Sequence, residues 1–397
     1  MKTNWPTKKL GEVCEILIGG TPRRGVPIYW DNGEFAWVAI SDLSKSGKVI
    51  QETEEKITKV GVKESNVKLI PKGTLLFSFK LSIGKLAFAG MDLYTNEAIA
   101  GLKIKNHGEL NKEYLYYLLQ QLTFDTAQKA VKGKTLNKDK IGNLIIPLPS
   151  LEMQEKIVKK IKELFAKIDQ AQTLRMSSLR DVDVFQELQS KKIINGIREK
   201  FNSKSLADIA TLVRGPFGGS LKKEIFVDSG YAVYEQGNVI KNKLNNFRYF
   251  ITAEKYNEMK RFAVRSSDIL MSCSGTIGKF VIIQNQYTEG IINQALLKIT
   301  PANEILVDYL KYLLKDYISE HIAKHTKGSA IKNIVAVSFL KKIQIPVPPI
   351  AEQKKIVERM DALTQKVREL QALQSQIASD LTVLKQSILH QAFQGKL

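Results

Sequence analysis

One passage is written twice. IPLPSLEMQEKIVKKI begins at Ile146 and IPVPPIAEQKKIVERM at Ile345, 199 residues later. A repeat of this kind governs the fold, because each copy has to build the same supersecondary unit. Other segments fall into register around it. Leu10-Gly-Glu-Val13 faces Leu206-Ala-Asp-Ile209, and Phe35-Ala-Trp-Val38 faces Tyr231-Ala-Val-Tyr234. Ser82-Ile-Gly-Lys85 faces Thr276-Ile-Gly-Lys279, and Asn96-Glu-Ala98 faces Asn293-Gln-Ala295. Tyr114-Leu-Tyr-Tyr-Leu-Leu119 faces Tyr309-Leu-Lys-Tyr-Leu-Leu314. The order is kept while the offset drifts only between 194 and 199. The 397 residues are therefore read as a duplication, a length that suits two to three domains.

Each copy divides in two. Residues 1–150 and 201–349 mix short β-type runs, such as Thr74-Leu-Leu-Phe-Ser-Phe79 and Lys279-Phe-Val-Ile-Ile283, with turn signals. Asp31-Asn32-Gly33 reads as a hairpin turn, and short helices are expected at Lys112–Gln121 and Val307–Lys315. The class is α+β, one globule per copy. Residues 151–200 and 350–397 read instead as long helices, nearly free of Gly and Pro. Each Pro-x-Pro ends the globule's last strand, because proline cannot continue a sheet ladder. Pro149 and Pro348 punctuate there and carry no chemistry.

The second helix has a seam at Ile356, Met360, Leu363, Val367 and Leu370, stepping by 4 and 3 as a coiled-coil stripe does. It passes Gln374 and continues at Ile377, Leu381, Leu384 and Ile388. The first helix starts in the same way at Ile157, Ile161, Leu164, Ile168 and Ala171, passes Arg175 and Ser178, and reaches Val182 and Phe185. Arg175 and Gln374 are equivalent positions. Either a polar residue fixes register there, or the helix rotates and Leu174 or Leu373 takes over. At 1.5 Å per residue these helices run roughly 65–75 Å. Connectivity asks the second to return antiparallel to the first. The expectation is two globules at opposite ends of a rod, related by an approximate twofold, with the C-terminus back near the N-terminus.

The net charge of +20 suggests a polyanionic partner. Residues 1–150 and 201–349 carry +7 and +8, whereas the helical stretches 151–200 and 350–397 carry +3 and +2. Two basic reading heads on a spacer would divide charge this way; a membrane-surface helix would not. Certain loops combine Lys or Arg with Gly, Ser or aromatic residues. They nominate Arg23, Arg24, Lys80, Lys132 and Lys134 in the first copy, and Arg214, Lys222, Lys223, Arg261, Arg265 and Lys327 in the second. Arginine can pair with guanine edges and lysine can neutralise phosphate. Singly, each is an ordinary solvated charge; grouping at matching places in both copies lifts the set.

The sequence holds no catalytic constellation. Lys132-Gly133-Lys134-Thr135 lacks the first glycine of a phosphate loop, since Gln128 stands in its place. Val347-Pro-Pro-Ile350 lacks the flanking Asn or Asp and aromatic of the amino-methyltransferase motif. His107, His321, His325 and His390 gather no acids into a metal or nucleophile site. Cys14 and Cys273 have no metal spacing and read as inert buried thiols. No apolar run approaches the ~20 residues of a membrane span, and the amino-terminal residues lack a signal-peptide apolar stretch. The cytoplasm is the expected compartment, with no cofactor and no membrane partner.

In order and in duplicate, several motifs resemble the specificity subunit of type I restriction–modification enzymes over essentially the whole chain. They are Gly19-Gly-Thr-Pro22, Trp37-Val-Ala-Ile-Ser-Asp-Leu43, Ser82-Ile-Gly-Lys85, Asn96-Glu-Ala-Ile-Ala-Gly101 and the two opening passages. Arg214-Gly-Pro-Phe-Gly-Gly-Ser220 and Tyr234-Glu-Gln-Gly-Asn238 also look like one variety of these target-recognition domains. One departure is Met153, where the second passage has Glu352. The resemblance implies a non-catalytic subunit that reads a bipartite, asymmetric site in double-stranded DNA. Each globule would read one half, and the helices would set the gap. Two methyltransferase subunits and the restriction subunits would assemble around it and bind AdoMet and ATP themselves. The rival readings are a DNA-modifying enzyme with an active site in one globule and a coiled-coil scaffold.

Overall fold

A computed structural model describes residues 5–80, 82–129, 137–324 and 337–397. The chain forms two compact units, Met1–Met176 with Ser375–Leu397, and Ser177–Gln374. Each unit takes one mixed globule and a stretch of both long helices.

The strands of the first unit are β1 (Thr7–Lys9), β2 (Cys14–Ile18), β3 (Phe35–Val38), β4 (Val49–Ile50), β5 (Glu55–Ile57), β6 (Leu75–Ser78), β7 (Leu86–Ala89), β8 (Tyr94–Thr95), β9 (Ile99–Ile104) and β10 (Ile145–Pro147). They form a main sheet ordered β2-β9-β6-β7-β4, a small sheet β5-β3-β8 and the pair β1-β10. The second unit contains β11 (Ser203–Ser205), β12 (Ala210–Arg214), β13 (Tyr231–Tyr234), β14 (Phe250–Ile251), β15 (Ile269–Ser272), β16 (Phe280–Ile282), β17 (Gly290–Ile292), β18 (Leu296–Pro301) and β19 (Gln344–Pro346). Its sheets, β12-β18-β15-β16, β14-β13-β17 and β11-β19, repeat the same plan without a counterpart of β4.

The central strands are apolar on both faces because each face meets a different core. Leu75 and Phe77 of β6 enter one cluster with Tyr114 and Leu118, while Leu76 points into another with Val38 and Ile50. In β15, Ile269 and Met271 face Tyr309 and Leu313, and Leu270 faces Tyr234. This is the period of two expected of a buried strand.

The duplicated passage is locked to its globule by the same side chains in both units. Tyr114 Oη donates to the Pro147 carbonyl at 3.0 Å, and Tyr309 Oη to that of Pro346 at 2.9 Å. Gln154 is fully buried at the start of the first long helix. Its Nε2 donates to the Glu109 and Pro149 carbonyls, each at 2.9 Å, and its Oε1 accepts from Asn111 N–H at 2.9 Å. Gln353, also fully buried, repeats the set with the carbonyls of Glu304 (2.8 Å) and Pro348 (2.9 Å) and the Leu306 N–H (2.8 Å). One backbone carbonyl at the turn after each Pro-x-Pro, and a carbonyl and an N–H ahead of the globule's own helix, are thereby satisfied.

Two local expectations need correction. The helices after β9 and β18 are longer than the apolar pattern suggested, spanning Lys112–Lys129 and Val307–Lys324. Asp31-Asn32-Gly33 does turn, with Asn32 at φ 56°, but it leads from the short 3-10 turn Pro27–Tyr29 into β3 and is no hairpin. The antiparallel partner of β3 is β5, from later in the chain.

The long helices are Leu151–Lys200 and Ile350–Ala392. They run antiparallel in each unit. In the first unit Lys385 Nζ meets Asp169 Oδ1 at 2.6 Å. In the second, Gln371 donates to Asp183 at 3.1 Å and Gln374 to Ser178 at 3.5 Å. As one number rises the other falls. The carboxy-terminal Ile388, Leu389, Ala392 and Phe393 join Leu10, Tyr114 and Ile161 in the first unit's core, with Phe393 edge-on to Tyr114 at 5.3 Å.

Ile157, Ile161 and Ile168 are buried and Leu164 half-buried; Ile356, Met360 and Val367 are buried and Leu363 half-buried. Beyond Val367 the strict stripe fails. Leu370, Ile377 and Leu384 are exposed, and half-buried Gln371, Ala378 and Lys385 face inward at those levels, with Leu381 half-buried between them. Phe185 on the first helix is likewise exposed beside a half-buried Gln186. An α-helix of 3.6 residues per turn drifts ~20° per heptad from a 3.5 repeat, so the inward face moves to later residues. The polar alternative holds at the equivalent positions, where Arg175 and Gln374 are half-buried while Leu174 and Leu373 are exposed.

Candidate nucleic-acid interface

Gly19 and Gly215 occupy the same place just past β2 and β12. Gly19 N–H donates to Ile99 O at 3.2 Å, and Gly215 N–H to Leu296 O at 3.0 Å. A Cβ on Gly19 would lie 2.2 Å from the Asn96 carbonyl oxygen, and one on Gly215 1.9 Å from that of Asn293. Only glycine passes so close, and a loop emerges from each point at one end of the main sheet. The hairpins joining β6 to β7 and β15 to β16 open at the same end, since Ser78 pairs with Ile99 and Ser272 with Leu296. They share one construction. Lys85 N–H donates to Ser78 Oγ and Lys279 N–H to Ser272 Oγ, both at 2.9 Å. Each unit thus presents a loop after its first main strand, a hairpin tip and the Asn96–Ala98 or Asn293–Ala295 turn as one group.

In the first unit the geometry separates two adjacent arginines. Arg24 is paired with Glu55. Both of its terminal nitrogens bond Glu55, the NH2–Oε2 contact being 2.9 Å. Its guanidinium lies 4.1 Å from the Trp30 ring centre and 4.8 Å from that of Trp37. The tryptophans pack edge to face and anchor the loop, Trp37 Nε1 donating to Gly20 O at 3.0 Å and Trp30 Nε1 to Arg23 O at 3.2 Å. The Glu55 hydrogen bond holds the Arg24 guanidinium above its usual pKa, and the Arg24 hydrogen bond holds Glu55 below its own. Arg23, like Arg24, is exposed.

Lys80 is half-buried on the hairpin, its ammonium 5.5 Å from the Phe79 ring centre. Glu97, which the sequence did not single out, sits among these groups. The Thr21 hydroxyl, then its own backbone N–H, hold its carboxyl below the usual range, and Lys80 and Arg24 add to this. The charges of Lys80 and Arg24 are thus felt at a carboxylate of the kind that can accept from a cytosine amine.

In the second unit Arg214 is half-buried against the Cys273 thiol. Lys222 and Lys223 are exposed at the start of the short 3-10 turn Lys223–Ile225. Arg261 and Arg265 are exposed but not grouped with Arg214. Arg265 N–H donates to Asp268 Oδ2 at 2.7 Å ahead of β15, whereas Arg214 is level with Met271 near its far end. Behind them lies a buried polar cluster, in which Lys298 Nζ donates to the Ala263 carbonyl and Thr300 Oγ1 to Asp268. Burial pushes the Asp268 carboxyl up and the Lys298 ammonium down, and their opposite charges partly offset it. Asp268 and Lys298 are buried while Thr300 is half-buried, and the cluster serves the fold.

Lys132, Lys134 and Lys327 lie outside the described residues. Among the described residues no group of His, Cys, Asp and Glu could hold a metal ion, and no helix is long and apolar enough to cross a membrane.

The family model described as Type I restriction modification DNA specificity domain matches residues 2–175 and 198–379. The chain is similar to the specificity subunit of the type I restriction enzyme MjaIX from Methanocaldococcus jannaschii. The two are 24% identical over 397 residues, which covers 92% of this chain and 87% of that one. Two solved structures share the fold at 20% identity. One is a chain from work on complex assembly and conformational transition of the type I R-M system, with TM-score 0.68 over 99% of this chain and 98% of that one. The other is the HsdS subunit from Thermoanaerobacter tengcongensis, with TM-score 0.56 over 100% and 98%.

Proposed function

The chain belongs to the type I restriction–modification DNA specificity family, and we propose that each of its units reads one half of a bipartite DNA site through the loop group beside Gly19 or Gly215. It is the non-catalytic specificity subunit of such a system, and its partners are DNA, methyltransferase subunits and restriction subunits. The observation that carries the two-part reading is the repetition of one loop construction in both units: a glycine that only backbone can pass, a serine-closed hairpin and flanking cations. Residues 1–150 and 201–349 act as the two target-recognition domains, and 151–200 and 350–397 as spacer helices that set the unread interval. Arg23 and Lys80 in one domain, and Arg214, Lys222 and Lys223 in the other, supply the cationic contacts. Arg261 and Arg265 serve as outlying phosphate contacts. The cytoplasm, where the cell's DNA is met, is its place of action.

The test is to insert about one helical turn, roughly four residues, into each long helix at matching positions. Methylated sites are then mapped in cells carrying the chain with its methyltransferase. The interval between half-sites should change while both half-sequences stay the same. An unchanged interval would remove the spacer role, and turnover of AdoMet by the purified chain alone would overturn the non-catalytic reading.

A further inference from the structure

Phe217 is 91% exposed, and the next most exposed large aliphatic or Phe side chain among the described residues, Leu174, reaches 64%. Its backbone is held on both sides. Gly215 is pinned against Asn293 and Leu296, Pro216 is buried, and Ser220 N–H donates to the Phe217 carbonyl at 2.9 Å, closing the 3-10 turn Gly218–Ser220. The ring is therefore displayed from a fixed point. Its surroundings in the chain are cationic, with Arg214 before it and exposed Lys222 and Lys223 after it.

Counting from Gly19 and Gly215, the matching residue of the first unit is Thr21, whose hydroxyl is tied down to Glu97. At the place of Glu97 the second unit has Gln294. One unit thus fills this position with a hydrogen-bonded hydroxyl and the other with a projecting aromatic ring. A lone exposed apolar residue is ordinary on any surface. One displayed from a fixed backbone between cationic residues of the chain, at the edge proposed to meet DNA, matches the apolar parts of a base that phosphate contacts cannot read.

We infer that Phe217 is a specificity-determining residue of the second unit, making an apolar contact with a base, either the 5-methyl group of thymine or the face of an unstacked base. This rests on the DNA-reading role proposed above. The flanking cations supply sequence-independent attraction, and the ring supplies discrimination at one position of the second half-site.

The test uses the complex assembled with its methyltransferase subunits, on synthetic duplexes carrying the mapped site. Binding of wild type, Phe217→Ala and Phe217→Leu is measured against duplexes scrambled in one half-site or the other, at two salt concentrations. Phe217→Ala should lower discrimination at the second half-site by about tenfold or more, leaving the first half-site and the salt slope unchanged. Uracil in place of thymine reproduces the loss if the methyl is read, and Phe217→Leu then retains part of the discrimination. A 2-aminopurine emission rise that disappears in Phe217→Ala marks an unstacked base instead. Wild-type discrimination in Phe217→Ala, or an equal loss at both half-sites, overturns the inference. A wild-type complex that selects no site overturns the underlying reading before any variant is made.

Discussion

The side-chain amide of Gln353 donates to the carbonyl of Pro348 across 2.9 Å, closing the corner between the last strand and the second long helix. Gln154 does the same for Pro149 at the other corner. With two further hydrogen bonds each and no exposure to water, these glutamines satisfy backbone groups that solvent cannot reach. Truncation leaves buried donors and acceptors unpaired, at about 1–3 kcal/mol for each group not rehydrated. Gln154→Ala and Gln353→Ala should each destabilise the protein by about 2–4 kcal/mol. Tyr114→Phe and Tyr309→Phe, which each lose one bond, should cost about 1 kcal/mol. Chemical denaturation measures both, and glutamine variants no worse than the tyrosine variants would contradict the account.

Ser267 stands at φ 68° just before β15, where the first unit has Gly73 at φ 85°. The two N–H groups make equivalent bonds, to Ile283 O at 2.9 Å and Ala89 O at 2.7 Å. An L-residue in the left-handed region costs roughly 1–2 kcal/mol, partly offset by the extra chain freedom glycine brings to the unfolded state. Ser267→Gly should therefore stabilise the protein by about 0.5–1 kcal/mol in urea titrations; a loss of stability would show that the serine hydroxyl matters more than the backbone strain.

The duplication made the architecture legible. Repeated Pro-x-Pro, repeated tyrosines and an apolar periodicity broken only by a few polar positions indicate the α+β globules and both long helices from the sequence alone. What escaped was long-range. The partners of Gln154 lie at Glu109 and Asn111, and no local pattern links them to the corner they brace. Ile356, Met360 and Val367 are buried where the stripe keeps one heptad phase, and Leu370, Ile377 and Leu384 are exposed where the helix's own 3.6-residue period takes over. Arg24 was visible as a cation in a glycine-flanked loop, but Trp30, Trp37 and Glu55 occupy it through folding. Phe217 lies inside the Arg214–Ser220 motif, and only its exposure sets it apart.

Burial pushes the Cys14 thiol up to about 12 and the Cys273 thiol up to about 11. Nearby Lys105 opposes the first shift and Arg214 the second, without cancelling either. Both groups are neutral in the folded protein at pH 8. Native protein should give no fast reaction with a thiol reagent such as DTNB, and full reaction of both cysteines after unfolding. The linkage has a definite sign. A thiol whose folded pKa is raised contributes stability that is fully present below the unfolded value, near 9. That stability is lost as pH rises toward 11 and 12. Denaturation midpoints should fall across that window, and Cys14→Ser should blunt the fall.

Neighbouring Arg23 and Arg24 should respond oppositely to the same substitution. Arg24 is half exposed, and its ion pair with Glu55 is screened by water, so its worth lies mainly in fixing the loop against Trp30 and Trp37. Arg24→Ala should cost about 1 kcal/mol of stability and loosen the loop, broadening recognition of the first half-site. Arg23 makes no such clamp and faces solvent. Arg23→Ala should leave stability unchanged and reduce the slope of log K against log salt by about one, as loss of one phosphate contact does. Thermal melts of both variants, paired with binding isotherms at several salt concentrations, separate the two roles. A salt slope that changes for Arg24→Ala and not for Arg23→Ala would reverse the assignment and make Arg24 the phosphate contact.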